Sequence, residues 1–139
     1  MTPLQSLLTR YASTTRTQRD KGTAFERLMI AYLQNEPLYK EQYAQVLTYA
    51  AWAEQYREKL GLPNKIDAGI DLVAITHTGE FHAVQCKNFS AGHTVQKSDI
   101  DSFFTASGKK YFSYRLIITT TDKWSKHAED ALTDQQPPV

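Results

Sequence analysis

The chain has 139 residues, of which 41% are hydrophobic and 22% are charged, and its formal net charge is +1. This is the size of one ordinary domain, and the apolar content is sufficient for a core without disulfides. No stretch approaches the roughly 18 consecutive apolar residues of a membrane helix. The near-neutral charge also differs from the clear basic excess of most free-standing nucleic-acid binders.

The first segment and the single cysteine, Cys86, bear on location and organisation. Basic residues follow the short apolar patch of the N-terminus, which is the reverse of a signal peptide, and one cysteine cannot form an internal disulfide. Both features favour a cytoplasmic protein. We expect a single domain over residues 1–139, with a helix and loop at 1–20, a core at 21–132 and a tail or linker at 133–139.

Hydrophobic spacing predicts two helices in the first quarter of the chain. Residues 3–12 have apolar positions at i, i+3, i+4 and i+7, which indicates a short helix, and the polar residues 13–20 predict a loop. A stronger helix is expected at 24–34, where Thr23 is a suitable N-cap and Pro37 prevents much extension.

The central segment favours strands. Residues 45–51 are ambiguous but favour a strand, followed by a short helix that ends at Gly61. Two runs at 70–76 and 80–87 are rich in β-branched and apolar residues, and the three residues between them suit a hairpin loop with Gly79 in the left-handed conformation.

The last third alternates helix, strand and helix. Ser98 is the expected N-cap of a helix at 99–107 that Gly108 ends. A strand follows at 114–120, and a final helix begins near Trp124 or Ser125. A hairpin followed by this β–α–β order predicts an α/β fold with a central mixed sheet and helices on both faces.

Polar residues interrupt the apolar hairpin at one end. If the loop is centred on Thr78, antiparallel pairing places Asp71 opposite Gln85, with Lys87 as the diagonal neighbour. One interpretation is a satisfied Asp–Lys pair at the margin of a sheet, since structural ion pairs are common. The alternative is a site for a hard divalent cation.

The cation hypothesis assigns each polar group a role. Asp71 supplies an anionic oxygen, Gln85 a neutral carbonyl oxygen, and the backbone carbonyl of Cys86 a third ligand, which suits Mg²⁺ together with waters and phosphate oxygens. Lys87 would neutralise charge on a scissile phosphate, or position and deprotonate the attacking water. A phosphodiester is the natural substrate of this set.

The same residues resemble a known family. Asp-Ala-Gly-Ile-Asp-Leu-Val at 67–73 and Val-Gln-Cys-Lys at 84–87 are similar to the Mrr-type branch of PD-(D/E)XK restriction endonucleases. The resemblance implies a metal-dependent DNA endonuclease that uses Mg²⁺, with Mn²⁺ as a substitute, and catalytic roles for Asp71, Gln85 and Lys87. It also implies Glu26 as an auxiliary acid. Gln85 departs from the acidic residue of the wider superfamily and removes one negative charge from the metal site.

The arrangement further resembles the N-terminal nuclease module of single-polypeptide restriction enzymes of the type ISP kind, which translocate on DNA. That resemblance implies double-stranded DNA as substrate and downstream helicase-like ATPase, methyltransferase and target-recognition domains. The chain contains neither a GxxxxGK[ST] motif nor a methyltransferase glycine loop, so we expect a fragment of a larger enzyme. The exposed polar candidates for DNA contact are Asn88, Lys97, Lys109 and Lys110.

Three alternatives remain open from the sequence. The Thr23-x-x-Glu26 spacing also fits a capping box, which would explain Glu26 without catalysis. A junction resolvase or repair nuclease of the same fold would carry the same motif. A nucleic-acid-binding domain that has lost its activity would also share the fold, although the retention of both Asp71 and Lys87 argues against that option.

Overall fold

The computed structural model describes residues 18–62, 69–90 and 92–139, with side chains from Gly22 onward. The helix expected at 3–12 lies outside the described residues. In chain order the elements are α1 (Gln18–Asn35), α2 (Pro37–Gln42), β1 (Tyr43–Thr48), α3 (Tyr49–Leu60), β2 (Leu72–Thr76), β3 (Phe81–Lys87), α4 (Lys97–Ser107), β4 (Phe112–Thr119) and α5 (Lys126–Ala131). Within these ranges, no helix is both long enough and apolar enough to cross a membrane.

The four strands form one mixed sheet in the order β1-β2-β3-β4. Strand β1 pairs antiparallel with β2, and β2 pairs antiparallel with β3. Strand β4 runs parallel to β3 after the α4 crossover. The hairpin register is the predicted one, because Ile75 pairs with Phe81 and Val73 with Ala83. Gly79 has φ 88°, the left-handed conformation that the tight loop requires.

Helices cover both faces of the sheet, as expected. One core lies beneath α1 and contains Met29 and Leu33 together with Leu72 and Val84 of the hairpin. The other core lies beneath α3 and α4 and is built around the fully buried Trp52. Side chains alternate between the faces along each strand, so consecutive residues of β2 join different cores.

Several N-terminal boundaries differ from the sequence prediction. The first described helix begins at Gln18, so residues 18–20 are helical and Thr23 is interior to the helix and is not its N-cap. A short helix, α2, was not predicted. It begins at Pro37, because proline at the first helical position needs no hydrogen-bond partner for its nitrogen. The strand expected at 45–51 is β1, which ends earlier, at Thr48, where the threonine side chain caps α3.

The second half matches the expected order more closely. Gly61 and Gly108 end their helices as predicted. The N-cap of α4 is Gln96, not Ser98, because the carboxylate of Asp99 accepts the Gln96 N–H at 2.8 Å in a capping box. Ser125 caps the last helix, where its Oγ accepts the Ala128 N–H at 3.1 Å.

The segment after α5 is packed against β4. The backbone N–H of Arg115 donates to the Pro138 carbonyl at 2.9 Å. Its guanidinium donates to the Pro137 carbonyl and to Gln135 Oε1. Arg115 is only 1% exposed, so its charge is bonded within the fold and is not presented to a ligand at the surface.

Candidate active site

Asp71 lies immediately before β2, where regular pairing with β3 has ended. Its N–H donates to the Val84 carbonyl at 3.1 Å, and its Oδ2 accepts the Cys86 N–H at 2.7 Å. The carboxylate therefore takes the place of a backbone acceptor at the end of the hairpin. The strand register places Asp71 opposite Gln85, but the carboxylate contacts the backbone of the residue after Gln85, which is Cys86.

Glu26 reaches the same point from α1. Burial, then the negative charge of Asp71 and a hydrogen bond with it, raise the pKa of Glu26 from 4.5 to about 7. The pKa of Asp71 is also raised by burial, although the Cys86 N–H, Lys87 and the bond from Glu26 act in the opposite direction. Two carboxyls in contact cannot both ionise cheaply, so the raised pKa of Glu26 favours a proton on that carboxyl below about pH 7.

The helix containing Glu26 excludes the capping-box explanation. Because α1 begins at Gln18, the Thr23-x-x-Glu26 spacing falls within the helix and caps nothing. Glu26 is instead oriented toward Asp71. The acid-to-acid contact is unfavourable for stability at neutral pH, so a structural role does not account for it.

Gln85 lies on β3 next to Cys86 and is 3% exposed. Its Oε1 is buried and has no hydrogen-bond partner among the described residues. Leaving a buried acceptor unpaired costs on the order of 1–3 kcal/mol, so native proteins rarely do so without a reason. An oxygen available to a ligand is one such reason.

Lys87 is half-buried at the end of β3, and its charge acts on two acids. Its ammonium lowers the pKa of Asp71 and contributes to lowering that of Asp99 at the start of α4. The ion pairs within the described part of the chain are Arg57–Glu54, His93–Asp99 and Lys97–Asp101. Lys87 belongs to none of these pairs, which removes the interpretation of a satisfied Asp71–Lys87 pair.

Gly69 explains how the chain approaches Asp71. A Cβ built on this glycine would lie 2.6 Å from the Ser102 carbonyl oxygen and 2.7 Å from Ala106 Cβ, both on α4. Such distances are not tolerated, so only glycine permits this approach. The glycine of the Asp-x-Gly-x-Asp motif thus sets the packing of the turn that presents Asp71.

The candidate DNA-contacting residues fall into two groups. Asn88 is exposed directly after Lys87, and Lys97 begins α4, where its Nζ is 3.0 Å from Asp101 Oδ1. Lys109 and Lys110 precede β4, whose first residue pairs with the first residue of β3. They therefore lie at the opposite end of the sheet, about 20 Å from Lys87 at the usual rise per residue. The structure does not bring these two lysines to the site.

The donor set fits a hard divalent cation. Two carboxyl groups, one unpaired amide oxygen and the main chain at Cys86 lie at one end of the hairpin, and oxygen is the ligand type that Mg²⁺ prefers. Over the described ranges, no group of three or more His, Cys, Asp or Glu residues is arranged for metal binding. A cation here would therefore depend on the amide, the main chain and water as well as the two acids.

A family model of Mrr-type restriction endonucleases matches residues 34–139, and the chain belongs to this restriction endonuclease family. The fold is accordingly the restriction-endonuclease-like α/β fold, and members of the family generally use a divalent metal.

Among solved structures, the chain is similar to the ATP-dependent Type ISP restriction-modification enzyme LlaBIII bound to DNA, with a TM-score of 0.72 and 30% identity over 97% of this chain. The chain spans 8% of the length of that enzyme. The MspJI restriction endonuclease in complex with a 27-mer oligonucleotide gives a TM-score of 0.43 and 17% identity, covering 90% of this chain and 30% of that one. No curated protein matches the chain.

Proposed function

We propose that the chain is a Mg²⁺-dependent endodeoxyribonuclease that hydrolyses phosphodiester bonds as the nuclease module of a restriction-modification enzyme. The observation that carries this proposal is the hydrogen-bonded contact between the carboxyls of Glu26 and Asp71, at the end of the hairpin where the buried oxygen of Gln85 has no partner among the described residues. A divalent cation would replace the proton of that contact and satisfy that oxygen in one step. Lys87, which joins none of the ion pairs of the described residues, stands at the same end of the strand.

The residues of the chain have separate roles in the proposed reaction. Asp71, Gln85 Oε1 and the Cys86 carbonyl would hold the cation, and Glu26 would add a second negative charge once its proton leaves. When bound, Mg²⁺ supplies Lewis-acid stabilisation of the phosphate and lowers the pKa of a coordinated water. The Cys86 N–H bond to Oδ2 at 2.7 Å fixes the carboxylate of Asp71, so little reorganisation is needed at the moment of reaction.

Lys87 is the group suited to the phosphate. Its ammonium would neutralise charge that develops on the non-bridging oxygens, or, as a neutral amine, Lys87 would position the attacking water and take its proton. The water oxygen forms a bond to phosphorus, the bond from phosphorus to the leaving oxygen breaks, and that oxygen receives a proton from solvent.

The substrate and partners rest on similarity as well as on the site. The enzyme LlaBIII, to which the chain is 30% identical, is described in its DNA-bound form as an ATP-dependent restriction-modification enzyme. We propose double-stranded DNA as the substrate. We also propose that the full-length protein has downstream helicase-like ATPase, methyltransferase and target-recognition domains, which would supply the DNA affinity that a net charge of +1 does not.

Incubation of the purified chain with supercoiled plasmid and Mg²⁺ or Mn²⁺ tests the proposal. We expect nicked or linear product, and we expect Asp71→Ala and Lys87→Ala each to reduce the rate by roughly 10²–10³-fold or more. The matched controls are Glu58→Ala and Lys59→Ala, which remove an exposed acid and an exposed base of α3. Circular dichroism should show that all four variants fold.

The outcomes separate the candidates. Cleavage that survives in Asp71→Ala or Lys87→Ala would exclude the proposed mechanism. Preferential cutting of four-way junctions would indicate a resolvase. Metal-independent DNA binding without cleavage, also after the downstream sequence is restored and ATP is added, would indicate a binding domain that lacks catalysis.

A further inference from the structure

A histidine–carboxylate pair joins the loop between β3 and α4 to the first turn of α4, where the charge of Lys87 acts on the carboxylate. His93 Nε2 is 3.0 Å from Asp99 Oδ2, and the same oxygen accepts the Gln96 N–H at 2.8 Å. The pKa of Asp99 is lowered: burial acts to raise it, but the Gln96 N–H, His93 and Lys87 outweigh burial. Asp99 therefore remains ionised and provides an anionic partner for the imidazole.

The ring of His93 is held from several directions. It stacks on Phe89 with ring centroids 4.2 Å apart and an interplanar angle of 18°. The backbone N–H of His93 donates to the Ser90 carbonyl at 3.1 Å, and its carbonyl accepts the Thr121 hydroxyl at 2.8 Å. The side chain is nevertheless 35% exposed, so a fixed ring remains open to solvent on one side.

The loop itself is anchored to the strand that neighbours the site. The hydroxyl of Thr120, which follows β4, accepts the Phe89 N–H at 2.8 Å and donates to the Phe89 carbonyl at 3.0 Å. Val95 is hydrogen-bonded to the backbone of Lys123 and Ser125. Because the loop leaves β3 directly after Lys87, these bonds anchor the residues on either side of His93 to the end of the sheet where Lys87 lies.

We propose that His93 is a DNA-positioning residue, which as an imidazolium ion donates Nδ1–H to a backbone phosphate of the strand that Lys87 contacts. Asp99 binds Nε2 and so presents Nδ1 to the ligand. An imidazole fixed by a carboxylate loses little conformational freedom when it binds. The inference rests on the proposed DNA-cleaving function and adds a specific group that selects where along the backbone the phosphate is held.

The competing explanation is structural, because a His–Asp bond can simply fasten the loop to α4. The structural role and the phosphate contact predict opposite rankings of two variants. The amide introduced by His93→Gln can still donate to Asp99 but carries no charge, whereas His93→Lys preserves a cation and loses the ring. A structural role is rescued better by glutamine, and a phosphate contact is rescued better by lysine.

DNA affinity as a function of salt measures the contact. In an Asp71→Asn background, which prevents cleavage, we expect His93→Gln to weaken binding of duplex DNA about tenfold and to reduce the slope of log K against log[salt] by about 0.9, the value for one phosphate. His93→Lys should retain most of the slope. The matched control His127→Gln, an exposed histidine of α5, should leave both quantities unchanged.

In the cleaving protein, His93→Gln should raise KM about tenfold and change kcat little, since the contact is made in both ground and transition states. An unchanged slope and KM in His93→Gln, or rescue by glutamine and not by lysine, would overturn the inference while leaving cleavage intact. Absence of cleavage in the unmodified chain, together with the expected His93 effect on binding, would instead count against the proposed function alone.

Discussion

Two polar clusters of this protein show opposite bonding. Arg115, between β4 and the C-terminal segment, donates to the Pro137 carbonyl, Gln135 Oε1 and Ser107 Oγ, and its guanidinium carbon lies 5.3 Å from the centroid of the Phe104 ring. At the other cluster, the half-buried carboxyls of Glu26 and Asp71 contact each other, and the buried oxygen of Gln85 has no partner within the described ranges.

The difference distinguishes a polar group that supports the fold from groups reserved for a ligand. A buried charge that makes several hydrogen bonds to fixed carbonyls is stable without anything further. An acid pair beside an orphaned acceptor is unfavourable until a cation arrives, and such strain is typical of functional sites. Substitutions in the two clusters should therefore respond differently to divalent metal.

The largest effect on stability is expected at the Arg115 cluster. Arg115→Met removes the donor from several buried carbonyl and hydroxyl groups, and we expect a loss of about 3 kcal/mol of unfolding free energy. Urea denaturation with and without Mg²⁺ should give the same loss. Arg27→Met, on the exposed side of α1, is the control and should remain within about 0.5 kcal/mol. A loss at Arg115 that Mg²⁺ repairs would contradict the comparison.

Gly69→Ala tests how the fold presents the acid. The new methyl group would meet the Ser102 carbonyl at 2.6 Å, so the turn or α4 must shift, at a cost of about 2 kcal/mol. Because the shift moves Asp71, metal-dependent cleavage should fall more than the fraction folded. Gly22→Ala is a matched control with opposite sign: nothing lies within 4 Å of the added methyl group, and alanine should stabilise α1. Equal losses of folded fraction and of cleavage would mean that Gly69 does not affect the position of Asp71.

Gln85→Glu adds a third carboxyl to the cluster that contains Glu26 and Asp71. Without metal we expect a loss on the order of 1.5 kcal/mol at pH 8, since a buried acid near two others resists ionisation. Mg²⁺ should restore stability and bind more tightly than to the unmodified protein, which isothermal titration can measure. Gln45→Glu on β1, which is exposed, should show neither effect. A metal-insensitive loss would mean that the Gln85 oxygen is not a ligand.

The smallest effect is the pH dependence of Glu26. Its pKa is 4.5 in the unfolded chain and about 7 in the folded protein, so the folded state binds the extra proton. Stability from this group is complete below pH 4.5 and is lost as pH rises through about 7, by under about 1 kcal/mol after solvent screening. Glu26→Gln should flatten the pH profile of urea denaturation, whereas Glu58→Gln on α3 should not.

Metal binding provides a complementary measure of the same proton. If Mg²⁺ replaces it, affinity should increase as pH rises through about 7, with release of up to one proton per cation. Titration in buffers of different ionisation enthalpy measures that release. An affinity independent of pH between 6 and 8 would place Glu26 outside the metal site.

Local sequence signals predicted much of this fold. The alternation of apolar residues around His77-Thr78-Gly79 determined the hairpin and its register, because a shift of one residue would bury polar side chains. The order of elements after Gly61 likewise followed from periodicity and from glycines at helix ends. Two of the errors fall where a side-chain acceptor three residues away decides the boundary, as with Thr48 at the start of α3 and Asp99 at the start of α4.

Sequence patterns alone were enough to predict the hairpin, the β–α–β order and the short set of residues from which a site can be built. Tertiary packing was needed to show that Glu26 on α1 meets Asp71, that Lys87 joins none of the described ion pairs, that His93 is fixed beside it and that Arg115 is internal. These groups are separated by many residues along the chain, and their proximity depends on how helices pack against the sheet, which local periodicity does not encode.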